Sequence, residues 1–426
     1  MQIEELYKIY HQYPSVQTDT RKLKAGDIFF ALKGANFNGN SFAKQAIDSG
    51  AAYAVIDEKE FEIPGKTILV ENVLATLQSL AKYHRQQFTI PFLGITGSNG
   101  KTTTKELIHA VLSTTYKTYT TEGNLNNHIG IPLTLLKIKP DAELTVIEMG
   151  ANHIGEIASY CKIALPTHGI ITNCGKAHLE GFGSEEGVRK GKGELYDHLR
   201  ANNGTAFVMW DYDYLHEMSR GISQIITYGT HNAAIEGTVV ESEPFLKVKF
   251  QKGTVLTNLQ THLVGDYNLP NVLAAVTVGK YFKVPDEKLK TAIENYVLSN
   301  NRSQWVEKGS NKIILDAYNA NPSSMMQAID NFAKLHAPNK ILILGAMAEL
   351  GEQSLREHQI LLEHIHKYRW ADVILVGGLF EKLSAPYRWF KDSAEAGKWF
   401  QQQNFKDSTI LIKGSRSMQM EKVIGD

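Results

Sequence analysis

The stretch Phe92-Leu93-Gly94-Ile95-Thr96-Gly97-Ser98-Asn99-Gly100-Lys101-Thr102 constrains the fold more than any other. It reads as an apolar strand, a glycine loop and a helix from about Thr102. A strand that passes into a helix through glycines suits a parallel sheet covered by helices. Glycines let the backbone approach phosphates, and a helix N-terminus offers free N–H groups. Lys101 would reach terminal phosphates, and the Thr102 hydroxyl would sit on a magnesium ion. The loop departs from the usual pattern, because Ile95 stands where the first glycine belongs and Gly97 comes two residues later. The alternative is a plain strand–helix turn, and the flanking elements favour nucleotide binding.

The rest of the chain repeats this alternation of strand and helix, so an α/β class with three domains is expected. The first segment, 1–88, carries strands at Asp27–Leu32, Tyr53–Ile56 and Thr67–Val70, with helices at Phe42–Gly50 and Val73–Gln87. The polar run Arg85-Gln86-Gln87 reads as its boundary. The second, 89–298, adds apolar strands at Leu144–Glu148 and His168–Asn173 and a helix at Glu185–Leu199. A β-rich stretch follows from Thr205 to Leu263, then helices from Leu269 and over Asp286–Val297. The third, 299–426, has strands at Lys312–Leu315, Ile341–Leu344, Val373–Val376 and Thr409–Ile412, a Rossmann-like alternation. Lysine plus arginine number 45 and acids 45, so the chain lacks the basic footprint of a nucleic-acid binder. Two cysteines exclude a disulfide scaffold. No apolar run approaches the roughly 18 residues of a membrane span. A cytoplasmic protein without membrane insertion is expected.

Several residues stand out chemically. Glu148 ends an apolar strand, where parallel sheets place ligand groups, and an acid beside a phosphate loop commonly holds a metal. Lys192 lies four residues after Val188 and three before Leu195, on the apolar stripe of its helix. Burial would depress its pKa and leave a reactive amine, able to act as a base or to add carbon dioxide as a carbamate. A snorkelling lysine is the other reading. His178 follows the strand at 168–173 and is either structural or a ligand. Asn268 would cap the helix after it. Asn321-Pro322 reads as a cap and first-turn proline, whose helix N-terminus could hold an anion. Lys413 and Arg416, past a strand end, form either a solvated basic turn or a carboxylate site.

These motifs together resemble the Mur ligases, the ATP-dependent amide-forming enzymes of peptidoglycan precursor synthesis, over the whole chain. Thr96-Gly97-Ser98-Asn99-Gly100-Lys101-Thr102 is similar to their shortened phosphate loop, with Thr103 beside it. Glu148-Met149-Gly150-Ala151-Asn152-His153 is similar to their metal-binding strand end. Gly191-Lys192-Gly193-Glu194 matches their carbamylated-lysine motif, and His178 their magnesium histidine. The strings 123–130, 177–184, 316–322, 345–351 and 413–417 resemble the branch that adds D-alanyl-D-alanine to UDP-N-acetylmuramoyl-tripeptide. Asn126, Asn127, Tyr318, Asn319 and Asn321 lie in those strings and are implied substrate contacts, with Lys413 and Arg416 for the incoming dipeptide.

The resemblance implies a first domain that binds the UDP end through Thr18, Asp19, Arg21 and Lys33. By residue type alone, Asp19 and Arg21 form a surface ion pair. The family's Asp-Gly-His appears here as Asn38-Gly39-Asn40. A central domain would bind ATP and Mg2+, with Asn271 on adenine, and the third domain would bring Arg302 and Asp316 to ATP. Thr102, Glu148, His178 and carbamylated Lys192 would ligate magnesium, with Lys101, Lys192, His178 and Glu148 catalytic. A monomer is expected. A sister ligase adding one amino acid, or an inactive homologue, is the alternative reading.

Overall fold

The computed structural model describes residues 2–298, 301–383 and 385–425. Three large sheets organise the described residues, beside a small antiparallel pair, Lys33–Gly34 with Phe37–Asn38. The first is parallel, in the order Val16–Gln17, Ile28–Phe30, Tyr53–Ile56, Thr67–Leu69. Its apolar face meets the helix Ile3–Gln12, which buries Leu6, Tyr7 and Tyr10, and the helix Val73–Arg85.

The second sheet has nine strands. From one edge they run Thr118–Thr120, Leu144–Glu148, Phe92–Thr96, His168–Ile171, Thr205–Met209, Gln224–Gly229 and Ile235–Glu241, all parallel. Lys247–Lys252 and Asn258–Gln260 extend it antiparallel. Phe92–Thr96, buried throughout, has Leu144–Glu148 on one side and His168–Ile171 on the other. The chain order reverses there, and open α/β sheets bind ligands at the carboxyl ends of strands at such a point. The helix Leu269–Tyr281 is apolar all round and almost wholly buried, as an internal helix must be.

The third sheet runs Gln304–Lys308, Asn311–Asp316, Thr409–Lys413, Lys340–Gly345, Asp372–Val376, Arg388–Phe390, parallel except for the first pair.

Some expectations are corrected. The helix read over Phe42–Gly50 is a 3-10 turn, Gly39–Phe42, leading into Ala43–Asp48. The helix read to Val297 stops at Glu294, and the strand read to Asn173 stops at Ile171. The boundary expected at 88/89 falls between the helix Val73–Arg85 and the strand Phe92–Thr96. The one at 298/299 touches residues 299–300, outside the described residues.

Arg85 is not a solvated linker residue. It is 6% exposed, lies 3.6 Å over the Phe92 ring, and donates to the carbonyls of Ala164 (2.8 Å) and Leu165 (2.9 Å). Those carbonyls end the helix Glu156–Ala164, where a cation is favoured. Burial pulls the guanidinium down to about 10. His84, also buried, bridges the Tyr7 hydroxyl (3.0 Å) and the Ile138 carbonyl (2.8 Å). The first two sheet units therefore share one apolar core.

Candidate active site

The phosphate loop is built by local necessity. Gly97 has φ +143, and a Cβ there would lie 2.0 Å from the Thr172 hydroxyl. Gly100 has φ +79, and its Cβ would meet Asn271 Oδ1 at 2.6 Å. Both positions exclude side chains and leave the left-handed backbone to glycine. Thr96 Oγ1 donates to the Met149 carbonyl (2.8 Å), tying the strand to its neighbour. The helix Lys101–Ser113 starts at Gly100. Lys101 folds back, donating to the carbonyls of Gly97 (2.7 Å) and Ser98 (3.2 Å). Burial lowers its pKa, and the Glu148 carboxylate opposes that shift.

Glu148 is 2% exposed at the end of its strand. The Thr102 hydroxyl donates to one carboxylate oxygen (2.9 Å) and the Asn126 amide to the other (2.8 Å). Among the described residues no cluster of three His, Cys, Asp or Glu could hold a metal by itself. A buried carboxylate beside a phosphate-loop threonine nevertheless fits magnesium, which is usually held by one or two carboxylates plus substrate phosphates.

Lys192 is completely buried, so the snorkelling reading is excluded. Its ammonium donates to the Ala151 carbonyl (2.8 Å) and sits 4.9 Å over the Phe182 ring. Gly191 admits that ring, since a Cβ would lie 2.5 Å from it. Burial, helped by the positive charge of Lys101, pulls Lys192 down to about 7. Two residues on, Glu194 accepts from the backbone of Gly155 (2.5 Å) and Ala158 (2.8 Å), capping the helix Glu156–Ala164. The same short motif thus fixes the backbone around Ala151. His178 has φ +51. Its Nδ1 lies 2.6 Å from a Glu349 carboxylate oxygen, off the line of a hydrogen bond. The histidine holds the Glu349 carboxyl below its usual range.

One cavity of about 770 Å³ gathers most of these groups. Ser98, Asn99, Gly100, Lys101, Thr102, Thr103, Asn126, Asn127, Glu148, His178 and Asn271 line it from the second sheet unit. Arg302, Asp316, Tyr318, Asn319, Asn321 and Lys413 line it from the third. Asn271 accepts from the Thr104 hydroxyl (2.9 Å) and donates to Asn268 Oδ1 (2.8 Å). Asn268 therefore serves Asn271 and does not cap the helix through its side chain, a correction to the expected role. Asn127 caps the turn at Ile129 and Gly130. Asn321 caps the helix Pro322–Lys334, as its spacing predicts, and donates to Asn99 Oδ1 (2.8 Å). The Arg302 guanidinium stacks 3.5 Å over Tyr318. Lys413, 3% exposed, donates to Asp316 (2.6 Å) and to the Asn319 carbonyl (3.2 Å).

Other expected residues lie elsewhere. Thr96 and Gly97 support the loop from behind, and Lys192 sits behind Ala151, which does line the cavity. Thr18, Asp19, Arg21 and Lys33 belong to the first unit, away from this cavity. Arg21 makes a two-pronged exposed pair with Asp19 (2.9 and 2.8 Å). Lys33 is held by Asp57 (2.9 Å) and Glu58 (2.8 Å). Arg416 faces outward and pairs with Glu421 (2.8 Å). Glu349 and Glu194 were not singled out by sequence. Glu349 lies within the 345–351 string, but its φ of +62 carries no sequence signal in a glutamate.

Three family models match consecutive parts of the chain. They are the "Mur ligase family, catalytic domain" over 12–85, the "Mur ligase middle domain" over 95–279, and the "Mur ligase, glutamate ligase domain" over 301–416. The chain is 34% identical to the UDP-N-acetylmuramoyl-tripeptide--D-alanyl-D-alanine ligase of Bacillus subtilis, covering 96% of this chain and 92% of that protein. It resembles a MurF crystal structure from Acinetobacter baumannii with a TM-score of 0.87 and 29% identity, covering 97% of this chain and 92% of that one. It also resembles the MurF ligase of Thermotoga maritima in complex with ADP, with a TM-score of 0.86 and 27% identity, covering 96% of each chain.

Proposed function

The chain belongs to the Mur ligase family, and from that premise we propose that it joins D-alanyl-D-alanine to UDP-N-acetylmuramoyl-tripeptide at the expense of ATP, in cytoplasmic peptidoglycan precursor synthesis. One observation carries the reading. The phosphate loop, the buried Glu148 and the basic and polar groups of the third unit line a single cavity. Its volume of about 770 Å³ lies in the range of small-molecule sites.

A carboxylate is a poor acyl donor until its oxygen becomes a leaving group. Phosphoryl transfer from ATP gives an acyl phosphate and ADP. The loop N–H groups and Lys101 stabilise the charge on the transferring group, once the ammonium leaves the Gly97 and Ser98 carbonyls. Thr102 and Glu148 would hold magnesium, which when bound neutralises the repulsion between carboxylate and triphosphate. Lys192 is the carbamate candidate, because its buried amine bonds to a carbonyl, has no carboxylate partner among the described residues, and has its pKa lowered by burial to about 7. As a carbamate it would offer an oxygen ligand, with His178 and Glu148, to a second magnesium ion. Asn271 faces the base of ATP, and Arg302 and Asp316 its phosphates and ribose. Asn126, Asn127, Tyr318, Asn319 and Asn321 face the peptide substrates. Lys413 belongs with them, although its ion pair with Asp316 gives it a positioning role first. Arg416 stays a candidate only for the approach of the dipeptide carboxylate. Thr18, Asp19, Arg21 and Lys33 receive the UDP end on the first unit. The protein works as a monomer in this reading, and the three segments 1–88, 89–298 and 299–426 divide the tasks of UDP binding, ATP binding and dipeptide delivery.

The test is phosphate release from ATP and magnesium with UDP-N-acetylmuramoyl-tripeptide, with and without D-alanyl-D-alanine. Strong dependence on the dipeptide and a UDP-pentapeptide by mass are expected. Turnover only with a shorter nucleotide peptide and a free amino acid would replace this reading by a sister ligase.

A further inference from the structure

The tetrapeptide Asn173–Lys176 is held from two sides. Toward the phosphate loop, Asn173 Oδ1 accepts from the Asn99 N–H (3.1 Å), and the Gly175 carbonyl accepts from the Ser98 hydroxyl (2.8 Å). Toward the third unit, the Lys176 N–H donates to Ser323 Oγ (2.9 Å), and its ammonium donates to Glu357 Oε1 (2.8 Å). Gly175 permits this approach, since a Cβ there would lie 2.7 Å from Ser323 Oγ. Ser323 belongs to the first turn of the helix Pro322–Lys334, and Glu357 to the helix Ser354–Ile365. Two helices of the third unit therefore grip the segment that seats the phosphate loop.

Glu357 is 3% exposed, and a buried carboxylate persists only while paired. Lys176 keeps 36% of its side chain in solvent, so the charge that satisfies Glu357 comes from the opposite unit. The neighbouring His358 is fully buried, and its Nε2 accepts from the Met347 N–H (3.0 Å). That bond orders the loop carrying Glu349 to His178. One helical turn thus sets two contacts between the units.

We propose that Lys176 and Glu357 form a positioning pair that couples docking of the third unit to the geometry of the phosphate loop, so that phosphoryl transfer proceeds only when the dipeptide-bearing unit is seated. The proposal rests on the ligase reading above. The ATP phosphates reach the loop amides and Lys101 of the second unit without the pair, while the contacts of Arg302 and Asp316 depend on docking of the third. Losing the pair therefore lowers turnover and dipeptide use more than it lowers ATP binding.

The test compares wild type with Glu357→Gln, Lys176→Met and the exchanged pair Lys176→Glu/Glu357→Lys in the full-length protein. Glu357→Gln is expected to lower kcat/KM for D-alanyl-D-alanine about tenfold while ATP affinity, read by calorimetry, falls by less than threefold. Lys176→Met is expected to match it, and the exchanged pair to recover to within threefold of wild type. Small-angle scattering with a non-hydrolysable ATP analogue and the nucleotide substrate is expected to show a more open form for both single variants. Wild-type kcat and KM in both single variants would overturn the proposal. So would an equal loss of ATP affinity, which would mark a general structural role. Should Glu357→Gln fail to fold, Lys176→Met alters a part-exposed loop residue and decides alone. A wild type without turnover on any acceptor would overturn the ligase reading, and the scattering comparison would then judge the pair by itself.

Discussion

Replacing Lys192 with methionine should make the protein more stable at neutral pH while destroying its activity. The lysine is fully buried, and its ammonium has one carbonyl partner, on Ala151. The gap between a solvated lysine's 10.5 and the value of about 7 reached here corresponds to about 5 kcal/mol of burial cost. Below pH 7 both the folded and unfolded chains hold the proton, and the folded state bears the full cost. Between pH 7 and about 10.5 only the unfolded chain holds it, so stability rises with pH. Above that window the cost is gone. Methionine fills a similar volume, but leaves the Ala151 carbonyl without its donor, a loss of about 1–3 kcal/mol. The net gain at pH 7 is then about 2–4 kcal/mol, on the order of 5–10 °C in the melting of a unit this size. Melting curves of both proteins, in metal-free and bicarbonate-free buffer at pH 6.5 and 9.5, give the comparison. The variant should lead at pH 6.5, and the lead should shrink by pH 9.5. An equal or lower melting temperature at pH 6.5, with no pH dependence of the difference, would refute the reasoning.

Three further outcomes follow from the same geometry. Lys101→Ala should abolish phosphate release while the circular dichroism spectrum stays that of wild type, because among the described residues the lysine bonds to its own loop carbonyls; retained turnover would discard the site assignment. Gly100→Ala forces a Cβ to 2.6 Å from Asn271 Oδ1 at φ +79, so ATP affinity should fall tenfold or more by calorimetry, with a stability loss of about 1–2 kcal/mol. His84 is held below its usual pKa by burial, so its contribution is present above the unfolded value and is lost as pH falls through the folded one. His84→Gln should therefore flatten the acid limb of a urea-denaturation profile below pH 6.5, and an unchanged limb would assign acid sensitivity elsewhere.

The parts of the fold legible in sequence are those whose cause is local. The phosphate loop is readable because glycine spacing, strand and helix all lie within eleven residues. The place of Lys192 on its stripe is readable because helical period sets it between Val188 and Leu195, whereas its burial is decided by Ala151 and Phe182. Asn321-Pro322 is readable because a cap and a first-turn proline are neighbours in the chain. Misreadings arise where a particular partner decides, distant in the chain for Arg85 and three residues on for Asn268. Arg85 looks like a linker charge until the ends of Ala164 and Leu165 supply two carbonyls and Phe92 a ring. Asn268 looks like a cap until Asn271 offers an amide. Lys413 and Arg416 look alike, yet the first is the last residue of a buried strand and the second begins a 3-10 turn toward Glu421. The helix Ile3–Gln12 is absent from the sequence expectations, although Leu6, Tyr7 and Tyr10 have helical spacing.

The way Lys101 bends onto the carbonyls of Gly97 and Ser98 has a bearing on inhibitor discovery. In this state the loop supplies its own guest. A compound that mimics only the purine would settle near Asn271 and leave the hook closed, gaining nothing from the Lys101 ammonium. A compound that carries an anion across to the loop must first unhook the ammonium, and then keeps it as a charge-assisted donor. Screens run without an anionic group should therefore select weak binders at the base end, and linking such a binder to a phosphate surrogate should raise affinity by more than either fragment alone.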